Sequence, residues 1–332
     1  MTLTKKDFAT DQMVRWCPGC GDYSILAQVQ AVMARTGRPR EDFAVIAGIG
    51  CSSRFPYYME TYGFHTIHGR APAFATGLKA SRPELSVWVV TGDGDSLSIG
   101  GNHLIHVFRR NPDINMMLFN NRIYGLTKGQ YSPTSERGKR TKSTPLGSLE
   151  QPFNPLQLAL GAGASFVARS VDVFAKHLQT TLESGYEHQG TAFTEIYQNC
   201  NIFNDGAFAS FTERSVREER VLFLEPGQPM VWGKAVRRGL VLEGASLAMI
   251  DVESDADLER VLVHDPSNWI LAQLLARLDP EKAEPVPVGV IYQEQRPTYD
   301  QAFQEQLDQA QQVYGPSDLM ALLEGGDTWQ VE

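Results

Sequence analysis

Short, almost wholly apolar segments alternate with helix-like segments through the first 200 residues, and this alternation constrains the fold most. The apolar segments end in glycine or polar turns and are Phe43–Gly50, Ser86–Thr91, Ile114–Phe119 and Ala192–Tyr197. Strands of this apolar character are typical of a sheet covered on both faces, and helices between them favour parallel pairing. The pattern predicts an α/β domain in which helices flank a parallel sheet.

Helical periodicity occupies the segments around these strands. The predicted helices are Tyr23–Thr36, Ala71–Ser81, Asn102–Arg110, Pro155–Gly161, Val173–Ser184, Ser267–Leu278 and Tyr299–Tyr314. After about Phe211 charged residues become frequent and prolines separate shorter elements. We therefore divide the chain into a domain over residues 1–211 and a C-terminal extension over residues 212–332, which we expect to pack on the domain or on a partner.

Composition excludes several classes of protein. The 332 residues are 42% hydrophobic and 21% charged, as in ordinary globular domains. A net charge of −9 and the lack of a basic stripe with interleaved aromatic residues argue against a nucleic-acid partner. Residues 1–11 lack the apolar core of a signal peptide, and no apolar run approaches the roughly 18 residues of a spanning helix. We expect a cytoplasmic protein without a membrane partner.

Four cysteines are the only thiols of the chain. Cys17 and Cys20 form a C-x-x-C pair in W-C-P-G-C-G-D, Cys51 lies in G-I-G-C-S-S-R, and Cys200 lies in E-I-Y-Q-N-C-N. A C-x-x-C pair can chelate one centre through a short turn, and so few thiols in a long chain favour metal binding over disulfides. Spacing alone leaves three interpretations open: a metal centre, a redox-active pair and simply buried thiols.

Two polar segments follow consecutive apolar strands. T-G-D-G-D-S follows the strand that ends at Thr91, and F-N-N-R-I-Y-G-L-T follows the next one. Ligands of open parallel sheets collect at the carboxyl ends of strands, where glycines let backbone N–H groups approach phosphate. Asp93 and Asn121 offer the hard oxygen ligands that Mg²⁺ shares with a diphosphate. G-D-G alone often marks a hairpin turn, but N-N placed 27 residues after Asp93 makes a phosphate site the stronger interpretation.

These motifs together resemble a known family. G-D-G-D-S followed by N-N-R-I-Y-G-L-T resembles the thiamine diphosphate (TPP) fold motif. With W-C-P-G-C-G, G-I-G-C-S-S and H-G-R-A, the chain is similar to the β subunits of the 2-oxoacid:ferredoxin oxidoreductases over roughly residues 12–205. The resemblance implies a TPP-binding fold, Mg²⁺ and one [4Fe–4S] cluster. It implies that the cluster ligands are Cys17, Cys20, Cys51 and Cys200, and that the Mg²⁺ ligands are Asp93, Asn121 and the Ile123 carbonyl.

The resemblance also places TPP contacts on matching positions. The implied contacts are Ile49, Gly50, Cys51 and Ser52 on one side of TPP, His68, Gly94 and Asp95 on the diphosphate side, and Gly125 and Leu126 nearby. Arg54 follows Cys51 closely and offers a guanidinium fork to a substrate carboxylate, although a solvated surface arginine is the alternative. His68 is the second candidate catalytic residue, and its alternative is an ordinary loop histidine.

The chemistry that the resemblance implies is TPP-dependent oxidative decarboxylation of a 2-oxoacid with coenzyme A. Electrons pass through the cluster to ferredoxin. The segment Y-M-E-T-Y-G-F-H-T-I-H-G-R-A is similar to members that act on 2-oxoglutarate, which gives succinyl-CoA, or 2-oxoglutarate in the CO₂-fixing direction. Pyruvate or branched-chain 2-oxoacids are the alternative substrates. A zinc-stapled subunit without catalysis and a non-oxidative TPP enzyme are alternatives from other classes.

Only one of the two domains that enclose TPP in such enzymes is visible in the sequence. The resemblance therefore implies an α subunit that supplies a glutamate to the aminopyrimidine, in an αβ or (αβ)₂ assembly. The chain contains no C-x₂-C-x₂-C-x₃-C run of the ferredoxin type. We therefore expect it to carry a single cluster.

Overall fold

The structure, a computed structural model, describes residues 3–326 and 328–329. The strands are β1 Phe43–Ala47, β2 Tyr62–His65, β3 Ser86–Gly92, β4 Ile114–Asn120, β5 Phe166–Val171, β6 Thr191–Tyr197, β7 Val221–Phe223, β8 Val231–Trp232, β9 Arg238–Glu243, β10 Ser246–Asp251 and β11 Val286–Gln293. The α-helices are α1 Asp22–Arg35, α2 Ala71–Ser81, α3 Gly101–Arg110, α4 Pro155–Gly161, α5 Ala175–Glu187, α6 Ala209–Thr212, α7 Arg217–Arg220, α8 Asp255–Arg260, α9 Trp269–Ala276, α10 Tyr299–Tyr314 and α11 Leu319–Glu324. Short 3₁₀ or π turns lie at Lys5–Phe8, Arg40–Asp42, Ser52–Tyr58, Asp95–Ile99 and Pro280–Lys282.

The main sheet has the strand order β2-β1-β3-β4-β6-β5-β11-β7. Its first six strands are mutually parallel, as the apolar pattern predicts. β11 runs antiparallel to β5 and parallel to β7, so the sheet is parallel except at this pairing. A separate antiparallel sheet contains β8, β9 and β10. The α/β class itself is confirmed.

The two faces of the sheet are both buried, which explains the continuous apolar runs. Along β3, Val87 and Val89 belong to the core beneath α2, α3 and α4, whereas Trp88 and Val90 belong to the core beneath α1 and α5. Side chains alternate between the faces of a strand, so only a strand covered on both sides needs apolar residues at every position.

The strand order predicts a ligand crevice at the carboxyl ends of β1 and β3. From β1 the chain moves to β2 on one side, and it returns to β3 on the other side of β1. The connections after β1 and after β3 therefore lead in opposite directions along the sheet. Open α/β sheets bind ligands at such a switch point. The crevice lies beside G-I-G-C-S-S and T-G-D-G-D-S.

The segment after residue 211 contributes to the main sheet. β7 and β11 pair at its far edge, and α9 packs on β11 and against α4. The division at residue 211 therefore stays a prediction about folding units, while within the described residues part of the extension completes the core of the domain. None of the described helices is both long enough and apolar enough to cross a membrane.

Candidate active site

Asp95 connects the two loops that follow β1 and β2. Its Oδ1 atom accepts hydrogen bonds from the Ile49 N–H at 3.0 Å and the Gly69 N–H at 2.7 Å, and it lies 2.5 Å from Nδ1 of His68. Its Oδ2 atom accepts a bond from the Thr91 hydroxyl at 2.7 Å. A carboxylate with four donors is a strong local organiser, because charge-assisted bonds are short and directional. Asp95 is itself buried, so it positions the loops around the crevice.

Two glycines allow the backbone to approach closely at this point. Gly69 has a φ of +72°, and a Cβ there would lie 2.5 Å from the backbone nitrogen of Gly100, just before α3. A Cβ at Gly94 would lie 2.1 Å from the Tyr124 ring, whose hydroxyl donates to the Gly94 carbonyl at 3.1 Å. A side chain at either position would therefore separate these segments.

Asp93 is a buried carboxylate with hydroxyl partners. Its Oδ2 atom accepts bonds from Ser132 Oγ at 2.5 Å and Thr134 Oγ1 at 2.6 Å. Burial raises the pKa of Asp93 to about 6, although both hydroxyls act in the opposite direction. No arginine or lysine pairs with it among the described residues. A buried carboxylate in this state fits a cation, which would supply the missing compensation.

The second predicted cation ligand lies in a tight turn after β4. The Oδ1 atom of Asn121 accepts the Ile123 N–H at 3.1 Å, and the intervening Arg122 has a φ of +55°. This turn holds the Asn121 amide oxygen beside the backbone of Ile123, and an amide oxygen retains a second lone pair for a cation.

Three of the predicted TPP contacts after β1, Ile49, Gly50 and Ser52, differ in exposure. The side chain of Ile49 is 41% exposed, while Gly50 adopts a φ of +142° and has open space where a Cβ would lie. The Ser52 hydroxyl is buried and has no hydrogen-bond partner among the described residues. Leu126, from the loop after β4, is also 41% exposed. An open apolar rim with an unpaired hydroxyl beneath it fits a bound molecule with polar and apolar parts.

The fold brings the four cysteines into one region. The indole N–H of Trp16 donates to the Cys51 carbonyl at 2.6 Å, which fastens the C-x-x-C loop to the turn after β1. The Gly21 N–H donates to the Asn199 carbonyl at 3.2 Å, and Asn201 Nδ2 donates to the Pro18 carbonyl at 2.6 Å. The loop therefore lies against both other cysteine segments.

Gly125 contacts this cysteine region from the loop after β4. A Cβ at residue 125 would lie 3.4 Å from Cys51 Sγ and 3.7 Å from Cys200 Sγ. Two sulfur atoms from distant segments thus face one glycine, and the absent side chain leaves room between them. Space bounded by thiols fits a metal–sulfur group.

The surroundings of the thiols disfavour free thiolates. Burial, and then the nearby Asp22 carboxylate, raise the pKa of Cys51 to about 11. The same two causes raise the pKa of Cys20 further. Thiolates are the form that binds metals, and a cationic centre is what stabilises them in such surroundings. Among residues 3–326 and 328–329, no three His, Cys, Asp or Glu side chains form a group that fits a single metal ion.

Gln198 links the cysteine region to the cation site, and sequence patterns did not reveal it. Its Oε1 atom accepts a bond from Asn121 Nδ2 at 2.9 Å, while its Nε2 atom lies 3.3 Å from Cys20 Sγ. Its partners are 77 and 178 residues away in the chain, so no local motif contains the relationship. Only its position just after β6 indicated proximity to the site.

The two candidate catalytic residues, His68 and Arg54, have different neighbours. His68 is about one-third exposed and is held by Asp95. Arg54 is half-buried, donates to the Arg15 carbonyl at 3.3 Å and lies close enough to Cys51 to lower the pKa of that thiol. Its remaining guanidinium donors are available to a carboxylate.

The chain is similar to a known domain family and to known proteins. The domain family described as Thiamine pyrophosphate enzyme, C-terminal TPP binding domain matches residues 48–196. The chain is 51% identical to the 2-oxoglutarate oxidoreductase subunit KorB of Mycobacterium tuberculosis, over 98% of this chain and 88% of that protein. It is 44% identical to subunit beta of 2-oxoacid:ferredoxin oxidoreductase 1 of Aeropyrum pernix, over 61% of this chain and 64% of that protein.

A solved structure is similar along almost the whole chain. It is described as 2-oxoglutarate:ferredoxin oxidoreductase from Magnetococcus marinus with 2-oxoglutarate, coenzyme A and succinyl-CoA bound. The TM-score is 0.78 and the identity 34%, over 98% of this chain and 97% of that chain.

Proposed function

The chain belongs to the β subunits of the 2-oxoacid:ferredoxin oxidoreductases, and from this premise we propose that it is the β subunit of a 2-oxoglutarate:ferredoxin oxidoreductase. Its reaction is the TPP-dependent oxidative decarboxylation of 2-oxoglutarate with coenzyme A to succinyl-CoA and CO₂, or the reverse. The M. tuberculosis relative and the M. marinus structure, both described by 2-oxoglutarate, support this substrate.

TPP binds in the crevice between β1 and β3 in this proposal. The residues that hold it are Ile49, Gly50, Cys51, Ser52, His68, Gly94, Asp95, Gly125 and Leu126, and those that hold Mg²⁺ are Asp93, Asn121 and the Ile123 carbonyl. When bound, TPP supplies a carbon nucleophile and an electron sink for the loss of CO₂. Asp95 keeps the loops after β1 and β2 together, and the buried Asp93 carboxylate binds the cation.

A [4Fe–4S] cluster bound by Cys17, Cys20, Cys51 and Cys200 supplies a one-electron acceptor beside the TPP site. Thiolates of such a cluster bind different iron atoms and are therefore spaced more widely than the ligands of one ion. The glycine at position 125 leaves the space between two of the sulfur atoms, and Gln198 directs an N–H group at a third.

One observation carries the proposal: the turn after β1 belongs to both sites. Its Ile49 N–H is bonded to Asp95 of the phosphate-binding segment, and two residues later Cys51 Sγ faces Gly125 together with Cys200. An electron acceptor held by Cys51 is therefore adjacent to the crevice in which the 2-oxoacid reacts.

The partners follow from the incomplete TPP site. An α subunit supplies the second TPP-binding domain with its glutamate, in an αβ or (αβ)₂ complex, and ferredoxin takes the electrons. The experiment is dye or ferredoxin reduction by the anaerobically purified complex with coenzyme A and either 2-oxoglutarate or pyruvate. The proposal requires a strong preference for 2-oxoglutarate. Equal rates would overturn the substrate assignment, and a lack of TPP in the complex would overturn the function.

A further inference from the structure

A cavity of about 410 Å³ is lined by Thr134, whose hydroxyl donates to Asp93. Side chains of β4, β5 and β6 form its floor, and its walls are lined by Arg122, Thr134, Glu136, Arg137 and residues 151–155 and 277–281. We propose that this cavity binds a small dianionic oxyanion, such as a phosphate or a dicarboxylate, and that its occupancy affects the cation site. A volume of this size is within the usual range for small-molecule sites, roughly 300–1,000 Å³.

Arg169 is the central observation. Arg169 lies on β5, and only 3% of its surface is exposed. Its Nε donates to Glu195 Oε2 at 2.7 Å, and its guanidinium lies 5.0 Å from the centre of the Tyr197 ring. The described residues provide no hydrogen-bond partner for its two terminal nitrogens, although the residue lines the cavity. Terminal nitrogens that are free at a cavity wall can bind an oxyanion in a bidentate manner.

Among the described residues, three arginines of the cavity form no ion pair, and neither do the carboxylates of Asp279 and Glu281. The cationic lining residues are Arg122, Arg137, Arg169 and Arg277, and the acidic ones are Glu136, Glu195, Asp279 and Glu281. Glu195 pairs with Arg169, and Glu136 pairs with Lys139 outside the cavity at 2.9 Å. Asp279 accepts the backbone N–H of Glu281 at 3.0 Å. Arg122, Arg137 and Arg277 form no ion pair with any described residue, so guanidinium forks that match an oxyanion remain available.

A chain of buried side chains connects this cavity with Asp93. Asn120 Nδ2 donates to Glu195 Oε1 at 2.7 Å, which fixes the orientation of the Asn120 amide. Its Oδ1 atom then lies 2.9 Å from Thr134 Oγ1, and that hydroxyl is also 2.6 Å from Asp93 Oδ2. One hydroxyl has a single proton, so Asn120 and Asp93 compete for it.

This competition couples the two sites, and the coupling rests on the proposed function of Asp93 as a Mg²⁺ ligand. An oxyanion on the terminal nitrogens of Arg169 weakens the hold of Arg169 on Glu195. Glu195 then binds Asn120 more strongly, and the position of the Thr134 proton changes. The expected effect is a change in the Mg²⁺ concentration that half-saturates TPP binding.

The binding test uses the αβ complex with saturating TPP and Mg²⁺, so that the diphosphate site is filled. Inorganic phosphate and succinate are titrated separately, with potassium chloride at equal ionic strength as reference, and the melting temperature is recorded. We expect at least one dianion to raise the melting temperature in a saturable manner. Arg277→Gln should increase the half-saturating concentration by roughly tenfold or more, because a charged hydrogen bond is removed.

Arg109→Gln is the matched control, since Arg109 is an exposed arginine on α3 away from the cavity. Arg277 is exposed as well, so its variant should fold, whereas loss of Arg169 would leave Glu195 buried and unpaired. Responses no larger than that of chloride, or equal responses in wild type and Arg277→Gln, would overturn the site. The difference between phosphate and succinate identifies the source of the oxyanion.

The coupling test is the Mg²⁺ dependence of TPP binding with and without the effective anion. A shift in wild type that Arg277→Gln abolishes supports the coupling. A shift that persists in Arg277→Gln reports competition at the diphosphate site and contradicts it. If TPP does not bind at all but the melting response still depends on Arg277, the anion site stands and the proposed function fails.

Discussion

Nδ1 of His68 lies 2.5 Å from Oδ1 of Asp95, and the same oxygen accepts the backbone N–H groups of Ile49 and Gly69. A single buried carboxylate thus joins the cysteine-bearing turn after β1 to the loop after β2. This arrangement depends on the charge of Asp95 more than on the ring of His68, because the ring is one of four donors to the carboxylate and is about one-third exposed.

Asp95→Asn should therefore destabilise the protein more than His68→Ala does. The asparagine amide lacks the negative charge that strengthens all four hydrogen bonds of Asp95. We therefore expect the free energy of unfolding to fall by roughly 2–3 kcal/mol. His68→Ala removes one partially exposed group and should cost less than about 1.5 kcal/mol. Chemical denaturation measures both values, and a larger loss in His68→Ala would contradict the assignment of Asp95 as organiser.

Asp93 makes stability and cation binding depend on pH. A carboxyl whose folded-state pKa, about 6, exceeds its ordinary value of 3.8 destabilises the fold as pH rises between those values. Without Mg²⁺, Asp93→Asn should therefore gain stability over wild type from pH 4 to 6, reaching about 3 kcal/mol above that range. The measurement is thermal or chemical unfolding of both proteins across this range in chelator.

Above pH 6, with Mg²⁺ and TPP present, wild type should be more stable than Asp93→Asn. The ionised Asp93 carboxylate then binds the cation, whereas the variant amide lacks the charge. Mg²⁺ affinity should weaken below pH 6, where the proton competes. If Asp93→Asn binds TPP and Mg²⁺ as wild type does, Asp93 is not a ligand.

Arg54→Ala tests the substrate assignment. A guanidinium that contacts the distal carboxylate of 2-oxoglutarate has no counterpart in pyruvate, so KM for 2-oxoglutarate should rise by roughly tenfold or more while KM for pyruvate changes little. Arg35→Ala, which removes a surface arginine paired with Glu183, is the control. Unchanged selectivity would remove Arg54 from the substrate site.

Gln198→Met tests the link between the cation site and the cysteines. Hydrogen bonds to cluster sulfur atoms raise the reduction potential, so loss of the Nε2 contact to Cys20 should lower it by an amount on the order of tens of millivolts. Asn201→Ala perturbs the same loop through the Pro18 carbonyl without touching a thiol. A redox titration followed by electron paramagnetic resonance distinguishes the two, and equal potentials would contradict a role for Gln198.

Sequence patterns predicted the parts of this molecule that have a strong local signal. β1, β3, β4 and β6 are nearly continuous apolar runs because both faces of the sheet are covered, and the predicted strands lie there. β5 was missed because buried Arg169 and Ser170 interrupt its apolar run, and their partners come from β6 and α5.

The other missed strands have physical reasons as well. β2 is an edge strand whose residues are all exposed, so it has no apolar pattern. β11 contains Pro287 and Gly289, residues that in a sequence usually indicate the end of a strand. Its register against β5 is irregular. The site motifs were predictable because they follow strand ends; the Gln198 and Glu195 contacts depend on tertiary packing.

The most direct test of the central claim is the iron and acid-labile sulfide content of the anaerobically purified αβ complex, compared between wild type and Cys51→Ala. The account predicts that wild type holds about four iron and four sulfide atoms that Cys51→Ala loses. TPP should remain partly bound in the variant, and 2-oxoglutarate-dependent ferredoxin reduction should be abolished. Zinc in place of iron, or a variant that retains the cluster and turns over normally, would contradict the claim that these cysteines hold the electron acceptor.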